Sequence, residues 1–255
     1  MKFRILGPVE LESNGRLTSL AGTRQRGLLS TLLVSGNHPV SAEQLCVELW
    51  GENPPSTVDN ALQAHVYRLR QALKRLAGAD DIPPDLITRA PGYLLKINPD
   101  DLDMNVFRER IASARAVRTQ DPKQAFSLLE KALELWRGTP LHEISAGPTC
   151  RGVAVQLSEE YVIALEEKLS LRLENEDPIR SVGELRRMSS MYPWRENIIE
   201  MLMLALYRCG RQAEALETYH EARGRLDREL GIEPSVGLRQ RFQEILSQSP
   251  SPSLS

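Results

Sequence analysis

The stretch VDNALQAHVYRLRQALKRL, residues 58–76, limits what this chain can become more than any other. Leu62, Val66, Leu69, Leu73 and Leu76 recur at alternating four- and three-residue steps, the spacing that lines one face of an α-helix. The opposite side carries Asn60, Gln63, Ala64, Tyr67, Arg68, Gln71, Lys74 and Arg75, with Asp59 at the start as the only carboxylate. Amides and guanidinium groups pair with base edges, and Lys and Arg also meet phosphates. The pattern fits a DNA-recognition helix. It equally fits an amphipathic helix with a solvated face, and the stretch alone does not separate the two.

Charge narrows the choice. The formal net charge of −2 excludes a basic coat for nucleic acid. Residues 1–97 nevertheless hold 11 Lys and Arg against 9 Asp and Glu, whereas residues 98–255 hold 21 against 25. Within 58–76 the balance is four cations to one acid, a local basic patch of the kind that supplies phosphate contacts and steering. A length of 255 residues suits one large domain or two ordinary ones, and 41% hydrophobic residues suffice for a core. Cys46, Cys150 and Cys209 are odd in number and far apart, so reduced thiols are expected rather than disulfides or a zinc site. There is no apolar run after Met1 and none of about 18 residues elsewhere, so a signal peptide or membrane span is not expected and a cytoplasmic location is.

Around the basic helix the first 97 residues predict a compact α+β scaffold. Phe3, Ile5, Val9 and Leu11 alternate, and Asn14-Gly15 is a hairpin turn, which together predict a small antiparallel sheet. Thr23 is expected to cap a helix reaching about Ser35, with Leu28, Leu29, Leu32 and Leu33 inward. Ser41 to Gln44 reads as a capping box opening a short helix through Leu45, Leu49 and Trp50, and Pro54-Pro55 stiffens the following loop. Two β-prone runs flank Pro91-Gly92 after the basic helix and predict a hairpin wing with Arg89 near its tip, placed to reach a minor groove or a phosphate. Three helices followed by a wing make a winged helix-turn-helix.

Asn98 to Asp101 marks a boundary, and the rest predicts helices. Phe107, Ile111 and Ala114 line one. Asp121-Pro122 starts another, with Phe126, Leu129, Leu133 and Trp136 inward. Further helices are expected at about 153–173, from Asp177-Pro178 to Tyr192, at 195–209, 211–230 and 236–246, with 248–255 a disordered Ser/Pro tail. Gly210, Ala215, Tyr219 and Ala222 have the offsets of a tetratricopeptide signature, although Asp227 stands where its proline belongs. The expected fold class is thus mainly α, a winged helix-turn-helix at residues 1–97 followed by an all-α, tetratricopeptide-like domain at 103–247.

Motifs for catalysis are missing: no phosphate-binding glycine loop, HExxH, GxSxG or kinase signature occurs. His38, His65, His142 and His220 are scattered and read as packing or surface residues. No catalytic residue, cofactor or metal is expected, and the chain is not read as an enzyme.

Taken together, the motifs resemble the Streptomyces antibiotic regulatory protein family. Ile5-Leu6-Gly7-Pro8-Val9, Leu49-Trp50-Gly51 with Pro54-Pro55, Ala61-Leu62-Gln63 through Arg68-Leu69-Arg70, and Pro91-Gly92-Tyr93 look like an OmpR/PhoB-type winged helix. Trp136-Arg137-Gly138-Thr139-Pro140-Leu141, Ala205 to Arg208 with Gly210 to Leu216, and Glu229 to Pro234 look like a bacterial transcriptional activation domain. The resemblance covers about residues 2–247. It implies a sequence-specific activator, pathway-specific for antibiotic or secondary-metabolite synthesis, that binds direct repeats in double-stranded DNA in tandem copies and recruits RNA polymerase holoenzyme. No receiver domain precedes the winged helix, so control through abundance, a ligand or a partner is expected. Under this reading Asn60, Gln63, Ala64, Tyr67 and Gln71 read bases, while Arg68, Lys74, Arg75 and Arg89 hold phosphates. Two alternatives remain: a scaffold whose helical half binds proteins or ligands, and a repressor with the same DNA contacts.

Overall fold

The computed structural model describes residues 1–77, 83–142, 147–175 and 178–247. The chain forms two compact units, one of residues 1–116 and 130–162, the other of 117–129 and 163–255.

The first unit opens with an antiparallel sheet of β1 (Lys2–Arg4), β2 (Glu10–Ser13) and β3 (Arg16–Thr18). Asn14 and Gly15 both take positive φ, 50° and 73°, the two-residue geometry that matches the twist of a tight hairpin. Phe3, Ile5, Val9 and Leu11 are buried as their alternation requires, and so is Leu6. Helices α1 (Thr23–Val34), α2 (Ala42–Trp50) and α3 (Val58–Leu76) follow. Leu28, Leu29, Leu32 and Leu33 of α1 are buried as expected. Thr23, however, is not a cap: Gly22 occupies that position with φ 86° and no side chain closes the end. The capping box at α2 is half formed. Ser41 Oγ accepts the Gln44 N–H at 3.0 Å, but the Gln44 amide turns away to donate to Thr149 Oγ1 at 3.4 Å. A second sheet, in the order β4 (Val40–Ser41), β6 (Gly92–Lys96), β5 (Asp85–Arg89), supplies the hairpin.

This unit extends past the boundary expected at residues 98–102, and the cause is a set of buried polar contacts. Beyond a 3₁₀ turn at Pro99–Asp101, Asp103 starts α4 (Asp103–Val117). Its buried carboxylate accepts the Ile5 N–H at 2.9 Å and the Leu6 N–H at 3.1 Å. The segment at 137–142 runs against the same stretch: Arg137 and Leu141 donate backbone N–H groups to the carbonyls of Leu6 and Ile5, both at 2.8 Å. Arg137 also pairs with Glu10, and Gly7 leaves only 3.0 Å between a would-be Cβ and Arg137 Cβ. The motifs Ile5–Val9 and Trp136–Leu141 therefore meet in space. Phe107, Trp136 and Tyr161 stack in sequence with centroids 5.3 and 4.7 Å apart. Helix α5 (Pro122–Leu133) ends before Trp136, and α6 (Pro148–Asn175) begins at Pro148, earlier than its apolar pattern indicated. That early start is stabilised from α2: the buried Glu48 carboxylate accepts the Thr149 N–H at 2.7 Å, doing from another element what an N-cap side chain does locally.

The second unit holds α7 (Ile179–Met191), α8 (Glu196–Arg208), α9 (Gln212–Leu230) and α10 (Val236–Leu246) together with parts of α5 and α6. Helix α8 is its centre, with eight buried residues from Ile198 to Leu206. Gly210, φ 73°, turns the chain from α8 into α9. Ala215, Tyr219 and Ala222 are buried, the close packing expected of the tetratricopeptide-like pair. Tyr219 stacks on Phe242 of α10 at 4.2 Å. Arg241, 2% exposed, donates to Glu200 at 2.8 Å and to Glu244 at 2.6 Å. In α5, Phe126 is half-buried beneath the Arg172 guanidinium, 5.1 Å from its centroid. Asp177 and the tail at 248–255 lie outside the described residues.

Candidate nucleic-acid interface

Helix α3 divides as its sequence indicates. Leu62, Val66, Leu69, Ala72 and Leu73 are buried, and Leu76 is half-buried at the C-terminal end. Asn60, Gln63, Ala64, Tyr67, Arg68, Gln71, Lys74 and Arg75 are all exposed. Tyr67, a large ring at 62% exposure, gains nothing from the core and is available to a partner. Over 19 residues the helix is about 28 Å long, enough to lay several turns into one major groove.

Two neighbours fix α3 on either side of its buried stripe. On one, Gln25 of α1 donates from Nε2 to His65 Nδ1 at 2.9 Å, and Trp50 meets the His65 ring edge-on at 5.8 Å. Burial, then the nearby Arg68 and Arg24 charges, holds the His65 pKa below its ordinary value and favours the neutral ring that can accept this hydrogen bond. On the other side, Arg70 reaches the wing, donating from Nε to the Leu86 carbonyl at 2.8 Å and from Nη2 to Thr88 Oγ1 at 2.8 Å. The sequence reading did not single out Arg70. It lies between the apolar stripe and the outer face, where only the position of β5 reveals its partner.

The wing is the β5–β6 hairpin, in register Leu86↔Leu95 and Thr88↔Tyr93. Leu86, Leu94 and Leu95 are buried, which seats the hairpin on the helices. β6 also pairs with β4 through Ser41↔Gly92, and a Cβ at Gly92 would lie 1.9 Å from the Val40 carbonyl oxygen. Only glycine fits there. Arg89, the last residue of β5, is exposed beside the turn, as expected. The exposed α3 face and Arg89 thus sit on elements joined by Arg70, an arrangement able to offer a helix to one groove and a cation to the adjoining backbone.

Among the described residues no cluster of His, Cys, Asp or Glu is arranged to hold a metal ion, and no helix is long and apolar enough to cross a membrane.

Comparison with known proteins decides the family. Residues 102–246 match the model described as bacterial transcriptional activator domain, and residues 18–95 match transcriptional regulatory protein, C terminal. Over 250 residues the chain is 39% identical to the transcriptional regulator RedD of Streptomyces coelicolor, covering 98% of this chain and 71% of that one. The chain belongs to the Streptomyces antibiotic regulatory protein family. It is therefore a winged-helix transcriptional regulator with an activator domain, in a family of transcriptional regulators. The regulatory protein AfsR of S. coelicolor is 34% identical across 98% of this chain, which spans 25% of AfsR. Among solved structures, Mycobacterium tuberculosis EmbR in complex with a low-affinity phosphopeptide matches with a TM-score of 0.90 and 30% identity, over 98% of this chain and 66% of that one.

Proposed function

We propose that this family member activates transcription of a biosynthetic pathway by seating α3 in the major groove of direct-repeat operator DNA, in tandem copies, and recruiting RNA polymerase holoenzyme through residues 103–247. Residues 1–97 act as the DNA-binding domain, in the cytoplasm where the DNA is. Asn60, Gln63, Ala64, Tyr67 and Gln71 read base edges; Arg68, Lys74, Arg75 and Arg89 hold phosphates. The observation that carries this reading is the outer face of α3. Eight polar, small, aromatic or cationic side chains are exposed along it, and it has no carboxylate after Asp59. An ordinary solvated helix face mixes both signs of charge, and a carboxylate in a groove faces phosphate repulsion.

The test is operator binding as a function of salt. Replacing Arg68 or Lys74 with Ala is expected to flatten the slope of log K against log salt by about 0.9 per lost phosphate contact. An unchanged slope removes that residue from the contact set, and no sequence-specific binding by the full chain refutes the reading.

A further inference from the structure

The phosphate contacts assigned above come from α3 and the wing, yet α3 has a second flank. Arg70, four residues before Lys74, marks the side toward the wing. His65, held by Gln25 of α1, marks the other. At about 100° per residue Arg68 falls beside His65, and Arg75 falls within about 20° of Arg68, so both cations lie on the α1 flank. A helix about 10–12 Å across fills a major groove about 12 Å wide, and a phosphate backbone then runs along each of its flanks.

A trough borders that flank. One depression, of about 440 Å³, lies between residues 18–21 with Gln25 and the helix positions Arg68, Gln71 and Arg75. A second, of about 280 Å³, lies between the β2–β3 hairpin at Arg16 and the end of α3. They share Thr18, Arg75 and Leu76 and are therefore continuous. No Asp or Glu lines either one. Other depressions differ: Asp100, Asp101 and Asp103 line the one beside β1, and Glu166 and Glu167 line one on α6.

Many arginines elsewhere are neutralised, although Arg180, Arg187, Arg228 and Arg239 are also exposed without an ion pair among the described residues. What sets this trough apart is that its arginines gather where no carboxylate lines the surface. Arg4, Arg108, Arg118, Arg137, Arg186 and Arg211 each form an ion pair. Arg16, Arg24, Arg68 and Arg75 are exposed, and no ion pair among the described residues involves them. Arg16, Arg68 and Arg75 line the trough, and Arg24 precedes its lining residue Gln25. Leaving these cations unneutralised costs self-repulsion, which an anionic partner removes. A polyanion with regularly spaced phosphates suits a continuous trough better than a single small anion does.

We propose that this shoulder, formed by the β2–β3 hairpin and the start of α1, is a second seat for the DNA backbone, with Arg16 and Arg24 as phosphate contacts beside Arg68 and Arg75. The inference rests on the groove reading of α3. It makes the contact two-sided, with Lys74 and Arg89 on one strand and the shoulder on the other.

The experiment uses the full chain and an operator duplex bearing a single binding site, with Arg16→Ala and Arg24→Ala and the matching Lys variants. Each Ala change is expected to flatten the salt slope by about 0.9 and to abolish ethylation interference at phosphates on the strand opposite those lost in Lys74→Ala. Lys variants should restore the slope, and unchanged melting curves confirm that these exposed sites leave the fold intact. If both Ala variants keep the wild-type slope and interference pattern while Gln63→Ala and Arg68→Ala impair binding, the shoulder is overturned and the α3 reading stands. If the wild type shows no specific binding, the α3 reading itself fails. A defect that emerges only as lost cooperativity on two adjacent sites assigns the shoulder to a second copy and likewise overturns the proposal.

Discussion

Replacing Asp103 tests how the first compact unit is held together. In Asp103→Ala the buried N–H groups of Ile5 and Leu6, which the carboxylate accepts at 2.9 and 3.1 Å, lose their partner. Ile5 and Leu6 are fully buried, so water does not substitute without opening the sheet. Each orphaned N–H costs about 1–3 kcal/mol. Part of this is offset, since the variant no longer keeps a charge out of water, leaving an expected loss of about 2–4 kcal/mol. Asp103→Asn retains one acceptor but turns an NH2 group toward a backbone N–H, and an intermediate loss is expected. The pH dependence supplies an internal check. Burial, partly opposed by the Ile5 and Leu6 hydrogen bonds and by Arg137, holds the Asp103 pKa above its ordinary value. The native state then binds the proton more tightly than the unfolded chain does. This contribution is fully present below the unfolded pKa and is lost as pH rises through the raised one. The wild-type advantage over the non-titrating Asn variant should therefore shrink as pH rises across that window. Urea unfolding followed by circular dichroism at several pH values measures both quantities. A loss below about 0.5 kcal/mol for Asp103→Ala, within the range of an ordinary surface substitution, would refute the assignment of these hydrogen bonds.

Other substitutions probe separate parts of the account. Gly92→Ala places a Cβ 1.9 Å from the Val40 carbonyl oxygen and must part β4 from β6; a loss of about 2 kcal/mol or more in urea unfolding is expected, with weakened operator binding because the wing shifts. Arg241→Met leaves Glu200 without its buried cation and is expected to cost about 3–5 kcal/mol, much of it recovered when Glu200 is also replaced by Leu; an equal loss in the double variant would contradict that explanation. The Cys150 thiol, pushed up to about 11 chiefly by burial, should resist an alkylating reagent at about pH 8 until the protein unfolds, whereas labelling as fast as that of Cys209 would show that α6 opens readily at its start.

Much of the fold was legible because it rests on local patterns. The stripe on α3, the alternation from Phe3 to Leu11 and the turn residues Asn14, Gly15 and Gly210 each carry their structural instruction within a few positions. Helix α10 spans Val236–Leu246, the range its pattern predicts. The contacts that join distant segments were not legible. Glu48 looks like a solvated residue of α2 until Thr149, 101 positions later, is brought to it. Asp103 and Arg241 likewise look like ordinary surface charges, because burial of an ion is decided by partners that periodicity does not reveal. Thr23 was a reasonable cap by residue type, yet Gly22 took the position with a backbone conformation that side-chain preference does not encode. At the interface the exposed face of α3 followed directly from its spacing. Arg70 did not, since its role depends on where β5 passes, and Arg16 gains meaning only from the trough it lines.

The account turns on whether α3 reads bases, and selection of preferred operators from a randomised duplex pool measures this directly. Gln63→Ala and Gln71→Ala should each relax the preference at one or two defined base pairs, by about 1–3 kcal/mol per position, while leaving the salt slope unchanged. Identical preferences for the wild type and both variants would contradict the placement of this face in the groove.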